Sequence, residues 1–177
     1  MKEQIIQLTV LNKTIGDEAK NLTSALKGQA KTQGNWGEVI LEKILERSGL
    51  VRGREYTVQS SMTNEDGRRM QPDVVINLPD NKNLIIDSKV SLIAYERCFN
   101  CEDQKEKDVF VKEHISSIRK HIKDLSSKNY QQLYQLNTLD FVLLFIPIQP
   151  AFDLAFENDA ELVNGEFDKN IVIVTTS

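Results

Sequence analysis

Asp73, Asp87 and Lys89 are the residues whose types and spacing could do chemistry. They flank two short apolar runs, Val74-Val75-Ile76 and Leu84-Ile85-Ile86, joined through Pro79-Asp80-Asn81-Lys82-Asn83. That turn composition between β-favouring runs predicts a β-hairpin. A turn centred near Asn81 pairs Leu78 with Leu84, Val75 with Asp87, and Asp73 with Lys89. Side chains alternate across a sheet, so one face carries Val74, Ile76, Leu78, Leu84 and Ile86. The other gathers Asp73, Asp87 and Lys89 at the open end, where cross-strand neighbours stand about 5 Å apart. Two carboxylates and an ammonium so placed suit a divalent metal site. The acids are hard oxygen ligands for Mg²⁺, and the amine can hold a metal-bound water or steady charge on a phosphoryl group. The competing account is an ion-pair cluster closing an edge hairpin, worth roughly 0–1 kcal/mol. Register decides between them, because a slip of one residue separates the groups.

The elements that must position these groups fit one ordinary domain with an appendage: 177 residues, 40% hydrophobic. The net charge of −4 gives no global attraction to nucleic acid or anionic membrane, so DNA binding must come from a local basic patch or through metal. No apolar run reaches the roughly 18 residues of a membrane span and no signal-peptide core opens the chain, which predicts a soluble, intracellular protein. Both ends read as cut from a longer protein. Cys98 and Cys101 form a Cys-x-x-Cys pair, but a zinc site needs further ligands. His114 and His121, seven residues apart, share a helix face at a separation of roughly 10 Å, too far for one zinc. The thiols read as incidental.

Residues 1–33 place Ile5, Leu8, Leu11, Ile15, Ala19, Leu22 and Leu26 at steps of three and four, the narrow stripe of a coiled-coil-type helix, with oligomerisation as its use. Gly34-Asn35-Trp36-Gly37 is expected to interrupt it, and a second helix runs over residues 36–48, stopped at Ser48-Gly49. Glu38, Glu42 and Glu46 follow at four-residue steps, and composition does not say which of them approaches the hairpin end. A short strand is expected over residues 55–59. Arg52, Arg54, Arg68 and Arg69 are the dense basic group of the chain; they flank the hairpin and suit phosphate oxygens. Helix or turn follows through Phe99, then a long amphipathic helix over 102–128 and an apolar strand over 140–146, buried on both faces. Short helices are expected over 151–158 and 160–167, and a last buried strand over 171–174. The order is that of an α/β sheet with helices on both faces.

Gly34-Asn35-Trp36-Gly37-Glu38, Leu41-Glu42, Ile44-Leu45-Glu46, Ser48-Gly49-Leu50, Gly67-Arg68, Pro72–Ile76, Leu84–Leu92, Ala94-Tyr95, Phe141–Pro147 and Pro150-Ala151-Phe152 together resemble the RmuC-type DNA recombination proteins. The resemblance covers roughly residues 30–177. It implies a bacterial protein with a restriction-endonuclease-like PD-(D/E)xK core, an α-β-β-β-α-β mixed sheet flanked by helices. Pro72-Asp73 matches PD and Asp87-Ser88-Lys89 matches (D/E)xK. By resemblance to archaeal resolvases of that fold, the helix acid is Glu38. The resemblance further implies a domain over 34–177, truncated at its C-terminus, in a longer protein with a membrane anchor and coiled coil ahead of it, on the cytoplasmic side. The expected activity is Mg²⁺- or Mn²⁺-dependent phosphodiester cleavage that limits or processes DNA rearrangements. Asp73, Asp87 and Glu38 would be the ligands and Lys89 would position the attacking water. Arg52, Arg54, Arg68 and Arg69 would contact DNA largely without regard to sequence. Gln149 stands where relatives commonly carry Glu and is left out of the ligand set. The alternatives are a non-catalytic DNA-binding or scaffolding protein of the same fold, or a coiled-coil oligomer with a protein-binding head.

Overall fold

The structure, a computed structural model, describes residues 30–59, 62–63, 69–88, 91–128, 130, 137–162 and 170–176. In chain order the elements are α1 (Ala30–Arg47), β1 (Tyr56–Val58), β2 (Met62–Thr63), β3 (Arg69–Met70), β4 (Val74–Asn77), β5 (Asn83–Asp87), α2 (Ile93–Asn100), α3 (Gln104–Ser127), β6 (Thr138–Phe145), α4 (Gln149–Asn158) and β7 (Ile171–Val174). Five strands make one sheet in the order β1-β4-β5-β6-β7, and β2 pairs with β3 in a separate hairpin. The pairs β1/β4 and β4/β5 are antiparallel, while β5/β6 and β6/β7 are parallel. Mixed pairing is what the connections require. A tight turn can join antiparallel neighbours, whereas parallel ones need a crossover, here α2 and α3 between β5 and β6. This mixed sheet flanked by helices agrees with the α/β core expected from the sequence.

Both sheet faces are covered. Val74 and Ile86 pack with Ile40, Leu41, Leu45 and Phe145, so α1 covers the face that even-numbered residues of the hairpin share. Val75 and Ile85 pack with Ile118, Ile122, Leu125 and Leu144, so α3 covers the other. The hairpin is therefore interior and buried on both sides, not half-exposed at an edge, because β1 and β6 flank it. The long β6 is buried toward its end, at Val142, Leu144 and Phe145, while Phe141 remains partly exposed. Helix α3 starts where Asp103 accepts hydrogen bonds from the backbone N–H groups of Lys105 (2.8 Å) and Glu106 (3.0 Å), satisfying two of the helix's orphan donors.

The structure corrects two details. Gly34-Asn35-Trp36-Gly37 does not interrupt the helix: α1 runs unbroken through it. A helical glycine costs only about 1 kcal/mol relative to alanine, and here the missing side chain is useful. A Cβ on Gly37 would lie 3.4 Å from the Ser88 carbonyl oxygen and 3.5 Å from Pro147 Cγ, so the helix backbone rests on the ends of β5 and β6. The stop at Ser48-Gly49 holds. Gly49 adopts φ +85° and the Leu50 N–H returns to the Leu45 carbonyl at 3.1 Å.

The hairpin register is the second correction. Val75 pairs with Ile85, Ile76 with Leu84 and Asn77 with Asn83, two residues away from the expected register. Asp80 (φ 61°) and Asn81 (φ 54°) take left-handed conformations that tighten the turn, and the Leu78 N–H bonds the Lys82 carbonyl at 2.8 Å. A shift of two preserves the faces, since the pleat repeats every two residues. The expected N-terminal coiled-coil stripe, and most of the helix expected over 160–167, lie outside the described residues.

Candidate functional site

The β4/β5 ladder ends on the rung that pairs Val74 with Ile86, so Asp73 and Asp87 stand next to each other just beyond it. Both are buried, at 1% and 0% exposure. The Ser88 backbone N–H donates to Asp73 Oδ2 at 2.9 Å, and its hydroxyl lies 3.3 Å from the same oxygen. The two acids of the sequence motif thus come to one end of the sheet, as the hairpin reading required.

Lys89, their expected partner, lies outside the described residues. Asp87 is held by α3 and its cap: Oδ1 accepts from His121 Nε2 at 3.0 Å and Oδ2 from Lys128 Nζ at 3.1 Å. Burial by itself would push the Asp87 carboxyl up. The His121 hydrogen bond and the Lys128 charge outweigh it and hold the group well below the usual carboxylate range. Burial likewise works against the Lys128 ammonium, but the Asp87 charge leaves it above its ordinary value. Lys128 also sits 5.5 Å over the ring of buried Tyr130. The Tyr130 hydroxyl is pushed up by burial, with the charges of Asp87 and Asp73 adding to the shift. Asp73, Asp87, Ser88, His121, Lys128 and Tyr130 therefore form one electrostatic cluster.

Spacing marks His121 only as a poor zinc ligand, and nothing local assigns Lys128 a role. The signal is present in the chain: His114, His121 and Lys128 recur at seven-residue steps, on the side of α3 that carries buried Ile118, Ile122 and Leu125. Polar residues in phase with an apolar stripe face the core and need partners there. His114 finds one differently, donating from Nε2 to the Ala151 carbonyl at 2.8 Å.

Glu38 lies at the same end of the sheet, but on α1, which packs on the opposite face from α3. Its Oε2 accepts from Gln59 Nε2 at 2.6 Å, and the Gln59 N–H bonds the Asp73 carbonyl at 2.8 Å. Arg52 and Arg54 do not approach the carboxylates. Arg52 bonds Glu42 at 2.8 Å and Arg54 pairs with Glu55. The Asn77 side chain bonds the Arg54 carbonyl, which fixes this group at the turn end of the hairpin. A β-strand separates the two charge clusters, because Arg52 and Arg54 precede a strand antiparallel to β4. Arg68 lies outside the described residues, and Arg69 belongs to β3. Gln149 donates to Asp153 at 2.7 Å and is bonded to Thr175. Cys98 and Cys101 are free thiols.

A divalent ion needs several hard oxygens with open lone pairs. Among the described residues no group of three or more His, Cys, Asp or Glu side chains is placed to hold one. Each Asp87 oxygen already accepts from a side chain of α3 or its cap, and Glu38 is bonded to Gln59. For Asp87 to ligate such an ion, its bonds to His121 and Lys128 would have to give way.

A mixed α/β sheet with a buried acidic pair at one end defines the class to which this chain belongs, and the comparisons narrow it. The sequence model of the RmuC family matches residues 1–177, and the chain belongs to that family. It is 51% identical to a DNA recombination protein RmuC homolog of Yersinia pestis, over 99% of this chain and 37% of the relative. It is 50% identical to DNA recombination protein RmuC of Escherichia coli K12, over the same shares, and 48% identical to the Vibrio cholerae homolog, over 97% and 34%. The chain thus spans little more than a third of the length of these relatives. No solved structure matches it.

Proposed function

We propose that this domain engages the phosphodiester backbone of DNA during recombination, through the outer, basic face of the C-terminal half of α3. The observation that carries the reading is the charge of the C-terminal half of α3 and its cap. Arg119, Lys120, Lys123 and Lys128 stand there beside one acid of the same stretch, Asp124, in a chain of net charge −4, with Lys128 paired to Asp87. Arg119 is paired with Asp159, while Lys120 and Lys123 are exposed. Cations near a helix C-terminus also relieve its dipole, which accounts for one or two of them but not for the run. Phosphate contacts carry no base information, so binding is insensitive to sequence. The names of the relatives support the recombination context.

The sharper reading is Mg²⁺- or Mn²⁺-dependent cleavage. It takes Asp73, Asp87 and Glu38 as ligands, Lys89 as the amine beside the attacking water, and Arg68 and Arg69 as further phosphate contacts. The meeting of Asp73 and Asp87 at one end of the sheet favours it, and it requires Asp87 to give up its bonds to His121 and Lys128. Self-association through the stripe in residues 1–33, a cytoplasmic location, and a membrane anchor supplied outside this chain belong to the same proposal. No helix among the described residues is long and apolar enough to cross a membrane.

The test is fluorescence anisotropy on duplex, forked and four-way DNA, with nicking of supercoiled plasmid followed in parallel. The Lys120→Glu, Lys123→Glu double variant should weaken binding and flatten its salt dependence, by about 0.9 in log-log slope for each phosphate that is no longer neutralised. Affinity and slope equal to those of the native chain would refute the α3 surface. Nicking that needs Mg²⁺ and vanishes in Asp87→Asn would establish cleavage.

A further inference from the structure

Asp87 is fully buried, and its two oxygens face two different donors, one on α3 and one at its cap. His121 and Lys128 are seven residues apart, about 10 Å along the helix, so they reach the carboxylate from its two sides. Tyr130 backs Lys128 with its ring, which keeps a partly exposed ammonium over the carboxylate. A buried carboxylate holds its charge only with a cation or strong donors against it. A divalent ion is one such cation, and a side-chain ammonium is another. Here the space at both oxygens is taken by side chains of the chain itself.

We infer that Lys128 is the resident counter-ion of Asp87, with His121 as its second hydrogen-bond donor, so that Asp87 needs no divalent ion to stay charged, α3 docks on the sheet and the domain binds DNA without metal. The last clause rests on the DNA-binding reading; the pairing does not. Both residues are positioning residues, acting through Asp87 on the placement of the basic end of α3. Ile118, Ile122 and Leu125 hold the same helix by apolar contact, so variants of the polar pair keep a folded scaffold.

The experiment uses the 177-residue chain, melted in EDTA and in increasing MgCl₂, with DNA anisotropy measured under the same conditions. The native chain should show the same melting temperature and DNA affinity in both. Lys128→Met should melt lower by roughly 5 °C or more, and Asp87→Asn by a similar amount. The double variant should lose clearly less than the sum, because each single change strands the other's charge. Lys128→Arg should retain most of the native melting temperature. Additive losses would overturn the pairing. So would a saturable rise of the native melting temperature with Mg²⁺ that Asp87→Asn abolishes, since Asp87 would then be a metal ligand. DNA binding that appears only with Mg²⁺ would overturn the metal-free clause. A native chain that binds no DNA in either buffer would refute the DNA-binding reading and that clause with it, while the melting data still decide the pairing.

Discussion

The β4/β5 hairpin carries a charge cluster at each end, and the two differ in almost every physical respect. At the turn end, Arg52 pairs with Glu42 and Arg54 with Glu55, with arginine side chains 61% and 73% exposed. At the open end, Asp87 is wholly buried, and the His121 and Lys128 side chains bonded to it are 19% and 38% exposed. Residue types alone would rank the turn end higher, since arginine makes the better ion pair. Exposure reverses the order. In water an ion pair gains little over its hydrated parts, whereas a buried carboxylate has no solvent to fall back on. Charge clusters therefore have to be weighed by what removing one partner leaves behind.

The contrast is most vulnerable at Lys128. Lys128→Met leaves Asp87 buried with one donor fewer and should cost about 2–4 kcal/mol in urea unfolding, below the usual figure for a buried pair because the ammonium is partly in water. A loss under roughly half a kcal/mol, the range of an exposed pair, would put the two ends on a par.

Acid should act most on the open end and on α3; at the turn end it acts on Glu55, whose carboxyl the Arg54 hydrogen bond holds below its ordinary value. The Asp87 carboxyl is held below its ordinary range, so its stabilising effect is complete above the unfolded value of about 4 and is lost as pH falls toward the lower folded value. His114 responds earlier and for the opposite reason. Burial pulls its imidazole down, so the unfolded chain takes up the proton first. Stability should then decline as pH drops below about 6.5. His114→Gln should flatten that decline in urea midpoints measured across the interval. An unchanged slope would mean another group titrates there.

A smaller effect of opposite sign is expected near the same sheet end. Gln33, one turn before Gly37 on α1, is 3% exposed, with neither amide atom hydrogen-bonded among the described residues. Gln33→Leu removes an unsatisfied buried amide and should raise stability by about 1 kcal/mol. A loss in thermal melting would show that the amide has a partner. The smallest effect belongs to the turn end: Arg52→Ala should change stability by less than about 1 kcal/mol, and less still in high salt. A loss matching that of Lys128→Met would erase the contrast.

How much of this can be read from the chain differs by element. The hairpin strands, the long helix α3 and the last strand follow from apolar periodicity, with bounds close to those observed. The face shared by Val74, Ile76, Leu84 and Ile86 survives a wrong register, because a two-residue shift leaves alternation intact. The turn itself is not legible, since the left-handed Asp80 and Asn81 allow a tighter loop than a turn centred on Asn81. Gly34 and Gly37 suggest a helix break because an isolated sequence does not show that Gly37 must lie against Ser88. Proximity in sequence groups the arginines with the acids, and an intervening strand carries Arg52 and Arg54 to the far end.

Local pattern was enough to bring Asp73 and Asp87 together at a strand end, since two short runs and one turn leave few other arrangements. What Asp87 meets there is a matter of the whole fold. His121 and Lys128 lie 34 and 41 residues away along the chain. Their arrival depends on how α3 crosses the sheet, and that is set by packing of Ile118, Ile122 and Leu125 against Val75 and Ile85. Spacing along the backbone fixes neighbours within a strand or helix, while the partner of a buried charge is chosen by whichever surface closes over it.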